Sequence, residues 1–137
     1  MIIRHSEKGI TRMTTVTTEE SRYPVYLRPE DFDELVHGAD WHWAFQLFED
    51  DGVTPKDITR WSCDIYLLES ENGEEYAHLT TSSGITITTA SGLINVDISD
   101  TTIDTYNFRS CVFRVIVTDD TDDKKPYFIE RLSFAQV

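Results

Sequence analysis

Four aspartates in five residues, Asp119-Asp120-Thr121-Asp122-Asp123, form the densest set of potential ligands in the chain. Clustered carboxylates suit a hard cation such as calcium. The spacing does not follow the twelve-residue EF-hand loop, and Lys124-Lys125 comes directly after. The alternative is a solvated hairpin tip. Glu49-Asp50-Asp51-Gly52 carries the same two readings, and there the Asp-Gly pair favours a tight turn. The histidines, His5, His37, His42 and His78, show no His-x-x-x-His spacing for a metal. No glycine-rich phosphate loop is present, and no Ser, His and Asp are placed to suggest a triad, although a triad is a spatial arrangement. The expectation is a chain with no catalytic residue, no metal-ligand set and no cofactor, and so not an enzyme. His42 lies between Trp41 and Trp43, but on a strand it points opposite to both. The tryptophans are therefore expected in a core rather than on a ligand platform.

Two cysteines, Cys63 and Cys111, each sit among apolar neighbours in an expected strand. The simple reading is two small buried thiols. A disulfide between facing strands is the alternative and needs close Cα atoms. Neither belongs to a Cys-x-x-Cys pair, which disfavours zinc.

The 137 residues suit one domain, and the formal net charge is -13. Phosphate-backbone binding needs clustered Lys and Arg, so nucleic acid is excluded as an expected partner. The apolar runs are too short to span a bilayer, and Met1-Ile2-Ile3 is followed at once by charge, unlike a secretory signal; no membrane partner is expected. Charge is uneven along the chain. Residues 1–22 hold Arg4, Lys8, Arg12 and Arg22 against Glu7, Glu19 and Glu20, a net +1, while the remainder nets -14.

The elements that would position these groups read as strands. Trp41, Trp43, Phe45 and Leu47 alternate with His42, Ala44 and Gln46, the period of a strand with one buried face. Further alternating segments are Ser62–Leu68, Glu74–Thr80 after an Asn72-Gly73 turn, Ile85 and Ile87, Ile94 to Ile98, Cys111 to Val117, and Tyr127–Phe134. The last is expected to bury Leu132 and Phe134. Ser99 is a candidate N-cap for a short helix. Pro29–Leu35 reads either as one helical turn or as a loop that tucks Phe32 and Leu35 onto the core. About seven short strands with little helix make a two-sheet sandwich the natural architecture, with a barrel as the alternative. Residues 1–37 read as an N-terminal arm and lead-in, and 38–137 as the β domain. The arm contains Thr14, Thr15, Val16 and Thr17, of high strand propensity, suited to adding an edge strand to its own chain or to a neighbour. Phe48, Tyr66 and Leu68 fall on outward register positions and are candidates for an apolar docking patch, the alternative being that both faces of these strands are buried within the fold.

Residues 38–137 resemble a family of phage tail and baseplate β-sandwiches. These are the immunoglobulin-like domains at the N-termini of upper baseplate and fibre-attachment proteins of long-tailed phages, found also as small stand-alone virion proteins. The resemblance lies in Gly38-Ala39-Asp40, the aromatic strand from Trp41 to Leu47, Asp51-Gly52, and Pro55-Lys56-Asp57-Ile58-Thr59. It continues through Gly84-Ile85-Thr86-Ile87, Gly92 to Ser99, Asp104-Thr105-Tyr106 and Cys111 to Val115. Arg60 stands where that loop usually has Gly, Glu130 stands near another frequent Gly, and the first 37 residues have no counterpart. The resemblance implies an all-β, immunoglobulin-like antiparallel β-sandwich with an extended N-terminal arm. It implies a structural virion protein of the tail, baseplate or fibre attachment, localised in the virion. Its partners would be other virion proteins in a homo-oligomeric or symmetric assembly. Alternatives are a neck or capsid-decorating protein, or a soluble β-sandwich module binding a glycan or peptide with calcium at an acidic loop.

Overall fold

The computed structural model describes residues 2–7, 10–15, 25–26, 34–49, 51 and 53–135. Every segment expected as a strand after residue 40 forms one. In chain order the strands are β1 (Ile2–Glu7), β2 (Ile10–Thr15), β3 (Val25–Tyr26), β4 (Trp41–Phe48), β5 (Ser62–Leu68), β6 (Glu75–Leu79), β7 (Ile85–Thr88), β8 (Leu93–Ile98), β9 (Ser110–Thr118) and β10 (Lys124–Ser133). One short helix, α1 (Asp100–Ile103), joins β8 to β9, and Ser99 caps it by accepting the Thr102 N–H on its Oγ. No helix among the described residues is long and apolar enough to cross a membrane.

The strands make two five-stranded sheets, ordered β2-β1-β4-β8-β7 and β3-β10-β9-β5-β6. All pairings are antiparallel except the two-residue match of β3 with β10. The alternation in the sequence decides which face of each sheet is covered. Trp41, Trp43, Phe45 and Leu47 of β4 are buried, with Ile94, Val96 and Ile98 of β8 beside them. They face Cys63, Ile65 and Leu67 of β5 and Cys111, Phe113, Val115 and Val117 of β9 in one continuous core. Aromatic rings lock the two layers. Trp43 meets Phe113 and Phe128 edge-on, at 5.5 and 5.3 Å between centroids, and Phe45 meets Phe128 at 5.1 Å. Such pairs add about 0.5–1.5 kcal/mol each beyond their area burial. Leu35 is also fully buried, held by Leu35 N–H to Ser133 O and Ala135 N–H to Leu35 O. This matches the tucked-loop reading for Leu35, whereas residues 29–33 lie outside the described residues.

The N-terminal stretch takes the own-chain alternative. Residues 2–7 and 10–15, read as part of an arm able to add an edge strand to its own chain or to a neighbour, form a hairpin whose β1 pairs with β4 from Ile2 opposite Phe48 to Ser6 opposite Ala44, with β2 at the sheet edge. Without it, β4 would present an unpaired row of N–H and C=O groups. The β-branched Ile and Thr residues of this stretch suit filling that edge. Two smaller expectations also shift. The last strand begins at Lys124 rather than Tyr127, because the aspartate-rich turn closes tightly and pairs Lys124 with Thr118. Phe134 is only half-buried, since it lies beyond β10 in an isolated bridge to Leu35.

One glycine is demanded by packing. Gly92 (φ +64°) ends the 3-10 turn Thr89–Ser91, and a Cβ there would lie 2.5 Å from Leu47 O and 2.7 Å from Lys56 O. The backbone crosses so closely because Leu47 N–H donates to Gly92 O and Lys56 N–H donates to Leu47 O, both at 2.9 Å.

Candidate functional site

The outer face of the β6-β5-β9-β10 side carries the strongest candidate site. Residues directly opposite one another in an antiparallel pair share a face. One row across the strands therefore runs His78, Tyr66, Arg114 and Ile129. The next runs Leu68, Val112 and Arg131. Leu68, Val112 and Ile129 form an apolar cluster separate from the main core, with Tyr66 packed against it.

Polar groups frame this cluster. His78 stacks on Tyr66 at 4.3 Å and 12° between planes, and its Nε2 lies 2.8 Å from Asp64 Oδ1. Burial first, then the charges of Asp64 and Glu75, raise the Tyr66 phenol above its ordinary pKa, with Arg114 acting in the opposite direction. It stays a neutral hydrogen-bonding group at neutral pH. Arg131 donates from Nη1 to Ser110 Oγ at 2.9 Å. Two open concavities adjoin the cluster. One, of about 460 Å³, runs between Asn72, Val112, Ile129 and Arg131; the other, of about 410 Å³, runs between Tyr66, Leu68, Arg114 and Ile116. The apolar cluster is itself buried, with Leu68, Val112 and Ile129 at 8, 7 and 6% exposure, so the side chains that this face presents are Tyr66, His78, Arg114 and Arg131; an aromatic ring with two arginines is the make-up of a protein-binding face.

The expected docking residues divide among different places. Tyr66 and Leu68 share the face just described. Phe48 does not: it belongs to the other sheet, is 4% exposed, and lies opposite Ile2 and Pro55. Thr14 and Thr15 are on β2 at the edge of that same sheet, opposite Ile3 and Ile2. Val16 and Thr17 lie outside the described residues. The sequence reading missed Val112, Ile129 and Arg114. For Val112 and Ile129 the signal was present as unbroken apolar triplets, Cys111-Val112-Phe113 and Tyr127-Phe128-Ile129, which mark strands covered on both faces.

A second grouping was also missed. Tyr76 stacks on Phe108 (4.7 Å, 10°) and Phe108 on Tyr106 (5.1 Å, 26°). Phe108 also meets Phe134 at 5.6 Å, and Phe134 stacks on His37 at 4.3 Å. These residues come from β6, the α1–β9 loop and the two ends of the domain, so no local pattern announces them. Because the rings cover one another, the row braces this end of the fold.

The acidic clusters are absorbed by their own loops. Asp119 Oδ1 accepts the N–H groups of Thr121 and Asp123 and the Thr121 hydroxyl, at 2.9, 3.1 and 2.7 Å. Asp51 binds the N–H groups of Val53 and Thr54 and the Thr54 hydroxyl in the same way. Asp57 repeats the device on Thr59. The Thr hydroxyls are the first cause holding all three carboxyls below their ordinary pKa. Lys125 Nζ lies 3.6 Å from Asp123. Among the described residues, no group of three or more His, Cys, Asp or Glu is placed to hold a metal ion.

Cys63 and Cys111 are free, buried thiols. Cys63 lies opposite Val117, six residues along β9 from Cys111, or about 20 Å at strand rise. No disulfide can span that distance. Burial raises both thiol pKa values, that of Cys111 to about 12.

Comparison with protein-family models, with curated proteins and with solved structures found no match to this chain.

Proposed function

We propose that this chain is a structural protein of a bacteriophage particle, an immunoglobulin-like β-sandwich of the tail, baseplate or fibre attachment that acts through protein–protein contacts. The observation that carries the contact role is the outer face on which Tyr66, His78, Arg114 and Arg131 reach the surface over the buried cluster of Leu68, Val112 and Ile129. The phage assignment is supported by the turn and strand pattern of residues 38–137. Its Gly38-Ala39-Asp40 segment has a structural task here: Gly38 N–H donates to Asp104 Oδ1, and Asp40 Oδ1 accepts the Asp100 N–H at the start of α1. The net charge of -13 disfavours premature self-association and leaves binding to a complementary surface.

Quantitative mass spectrometry of purified phage particles from the source system tests this reading. Presence at a small fixed multiple of the tail symmetry supports a tail, baseplate or fibre-attachment role. A copy number matching the tube or shell lattice moves the chain to tube or capsid decoration. Absence from intact particles overturns the structural reading.

A further inference from the structure

The chain holds three asparagines, Asn72, Asn95 and Asn107, and only Asn72 precedes a glycine. Asn95 lies within β8 before the buried Val96, and Asn107 precedes the half-buried ring of Phe108. Asn72 is exposed in the turn between β5 and β6. The carboxylates of Asp51, Asp57 and Asp119 are tied to N–H groups of their own turns. The Asn72 carboxamide, by contrast, has no hydrogen-bond partner among the described residues. Gly73 N–H donates to Ser70 O at 3.0 Å, and Glu69 N–H donates to Glu74 O at 2.8 Å beneath it. Exposed hairpin ends of this kind open at far lower cost than core strands. The glycine is fixed by the turn, because a Cβ at Gly73 would lie 2.5 Å from Ser70 Oγ and 2.8 Å from Ser70 N. Tight closure therefore keeps an asparagine next to a backbone nitrogen that no side chain shields.

We propose that Asn72 is a self-modifying site, converted spontaneously to aspartate and isoaspartate. When the turn opens, the deprotonated Gly73 nitrogen attacks Asn72 Cγ. The new N–Cγ bond closes a succinimide ring, the Cγ–Nδ2 bond breaks, and ammonia leaves. Water then opens the ring at either carbonyl. One opening gives aspartate; the other routes the main chain through the side chain and gives isoaspartate. The place of the new charge matters. Asn72 borders both concavities of the outer face, with Arg131 in one and Arg114 in the other. A carboxylate there competes with a partner for these arginines and joins Glu71, which borders both concavities as well. Isoaspartate also lengthens the backbone of the turn. On the contact reading above, on which this consequence rests, conversion weakens binding through the face.

Full-length chain is incubated at physiological temperature in mildly alkaline and in mildly acidic buffer. It is then digested at low pH, its peptides are weighed, and isoaspartate is counted by enzymatic methylation. A peptide of residues 69–75 serves as the unfolded reference. The expected result is amide loss at Asn72 with Asn95 and Asn107 intact, and isoaspartate among the products. The rate should be higher in alkali, because the attacking nitrogen must lose its proton. Asn72→Gln, whose longer side chain closes the ring far more slowly, should keep its amide. Survival of Asn72 in the folded chain while the peptide is consumed overturns the proposal, since the bond from Gly73 to Ser70 then holds the turn shut. Equal loss at all three asparagines overturns it as well. The effect on contact is read separately, from incorporation of Asn72→Asp and Asn72→Gln chains into particles, with the aspartate variant expected to be lower. Equal incorporation overturns the effect on the face, whereas conversion is read from the isolated chain, so it and the contact reading fail independently.

Discussion

Trp43 of one sheet meets Phe128 of the other edge to face, with centroids 5.3 Å apart and planes at 85°. Phe128 also touches Phe45 at 5.1 Å, so one ring joins β10 to two residues of β4. Phe128→Ala removes a fully buried ring from this junction. The expected cost is about 3–5 kcal/mol, the range for truncating a core aromatic. Urea unfolding followed by tryptophan fluorescence measures it. A loss below about 1 kcal/mol would mean that the sheets are not packed through this junction.

Arg60 has φ +69°, in the left-handed region where a side chain is strained. The loop holds this geometry with an arginine. Asp57 supports it by accepting the Thr59 N–H at 2.9 Å and hydroxyl at 2.6 Å. Arg60→Gly should relieve strain and stabilise the fold by up to about 1 kcal/mol, despite glycine's greater freedom when unfolded. A fall in melting temperature would show that the Arg60 side chain contributes more than the strain costs.

The same loop shows where sequence reading works and where it stops. Ser62–Leu68 was legible to the residue, because alternation reports which side chains face a core and Asn72-Gly73 marks the turn that follows. The placement of Arg60 was legible only as a missing glycine; the φ that glycine would have served is set by the hydrogen bonds around it. The hairpin on β4 was not legible, since strand propensity in Ile2–Thr15 does not say which edge will be met. The candidate face was half legible. Tyr66 and Leu68 followed from outward register, whereas joining them to Val112 and Ile129 required knowing that β9 lies between β5 and β10. Phe48 had the same outward register and ended in the other sheet for the same reason.

Asp51, Asp57 and Asp119 tie stability to acid pH. Their carboxyls are held below the ordinary value, chiefly by the Thr hydroxyls they accept. A carboxyl depressed in the folded state contributes stability that is present above its unfolded pKa. That contribution is lost as pH falls through the folded pKa, here from about pH 4 downward. Repulsion among the other acids relaxes over the same range, so the informative comparison is between variants. Melting temperatures of the wild type and Asp119→Asn are expected to differ at pH 7 and to converge toward pH 3. A constant gap would show that ionisation of Asp119 does not support the turn.

The two cysteines report on opening of the sandwich. Both thiols lie in the core with raised pKa values, so thiolate, the reactive form, is scarce in the folded chain. At pH 8, alkylation should leave both unmodified in the native state and modify both in denaturant. Intermediate urea should give doubly modified and unmodified chains, with little singly modified species, because Cys63 and Cys111 belong to one core. A persistent singly modified species would locate a part of the core that opens alone.

Arg114 separates binding from folding on the candidate face. It lies between Tyr66 and Ile129 in the cross-strand row, and its side chain is only half-buried. Arg114→Glu reverses the charge in the middle of the row that this face presents, directly opposite Tyr66. Substitutions at such surface positions usually change stability by within about 0.5 kcal/mol, so the melting temperature should move little. Incorporation into particles should fall at least tenfold if this face meets its partner, because a reversed charge at an interface both loses an attraction and introduces a repulsion. Unchanged incorporation with unchanged melting would take the outer β5-β9-β10 face out of the assembly and leave contact to the β2 and β7 edges of the other sheet. A large fall in melting temperature would instead assign Arg114 to the folding of the face itself, and Arg114→Lys, which keeps the charge, would then separate loss of packing from loss of binding.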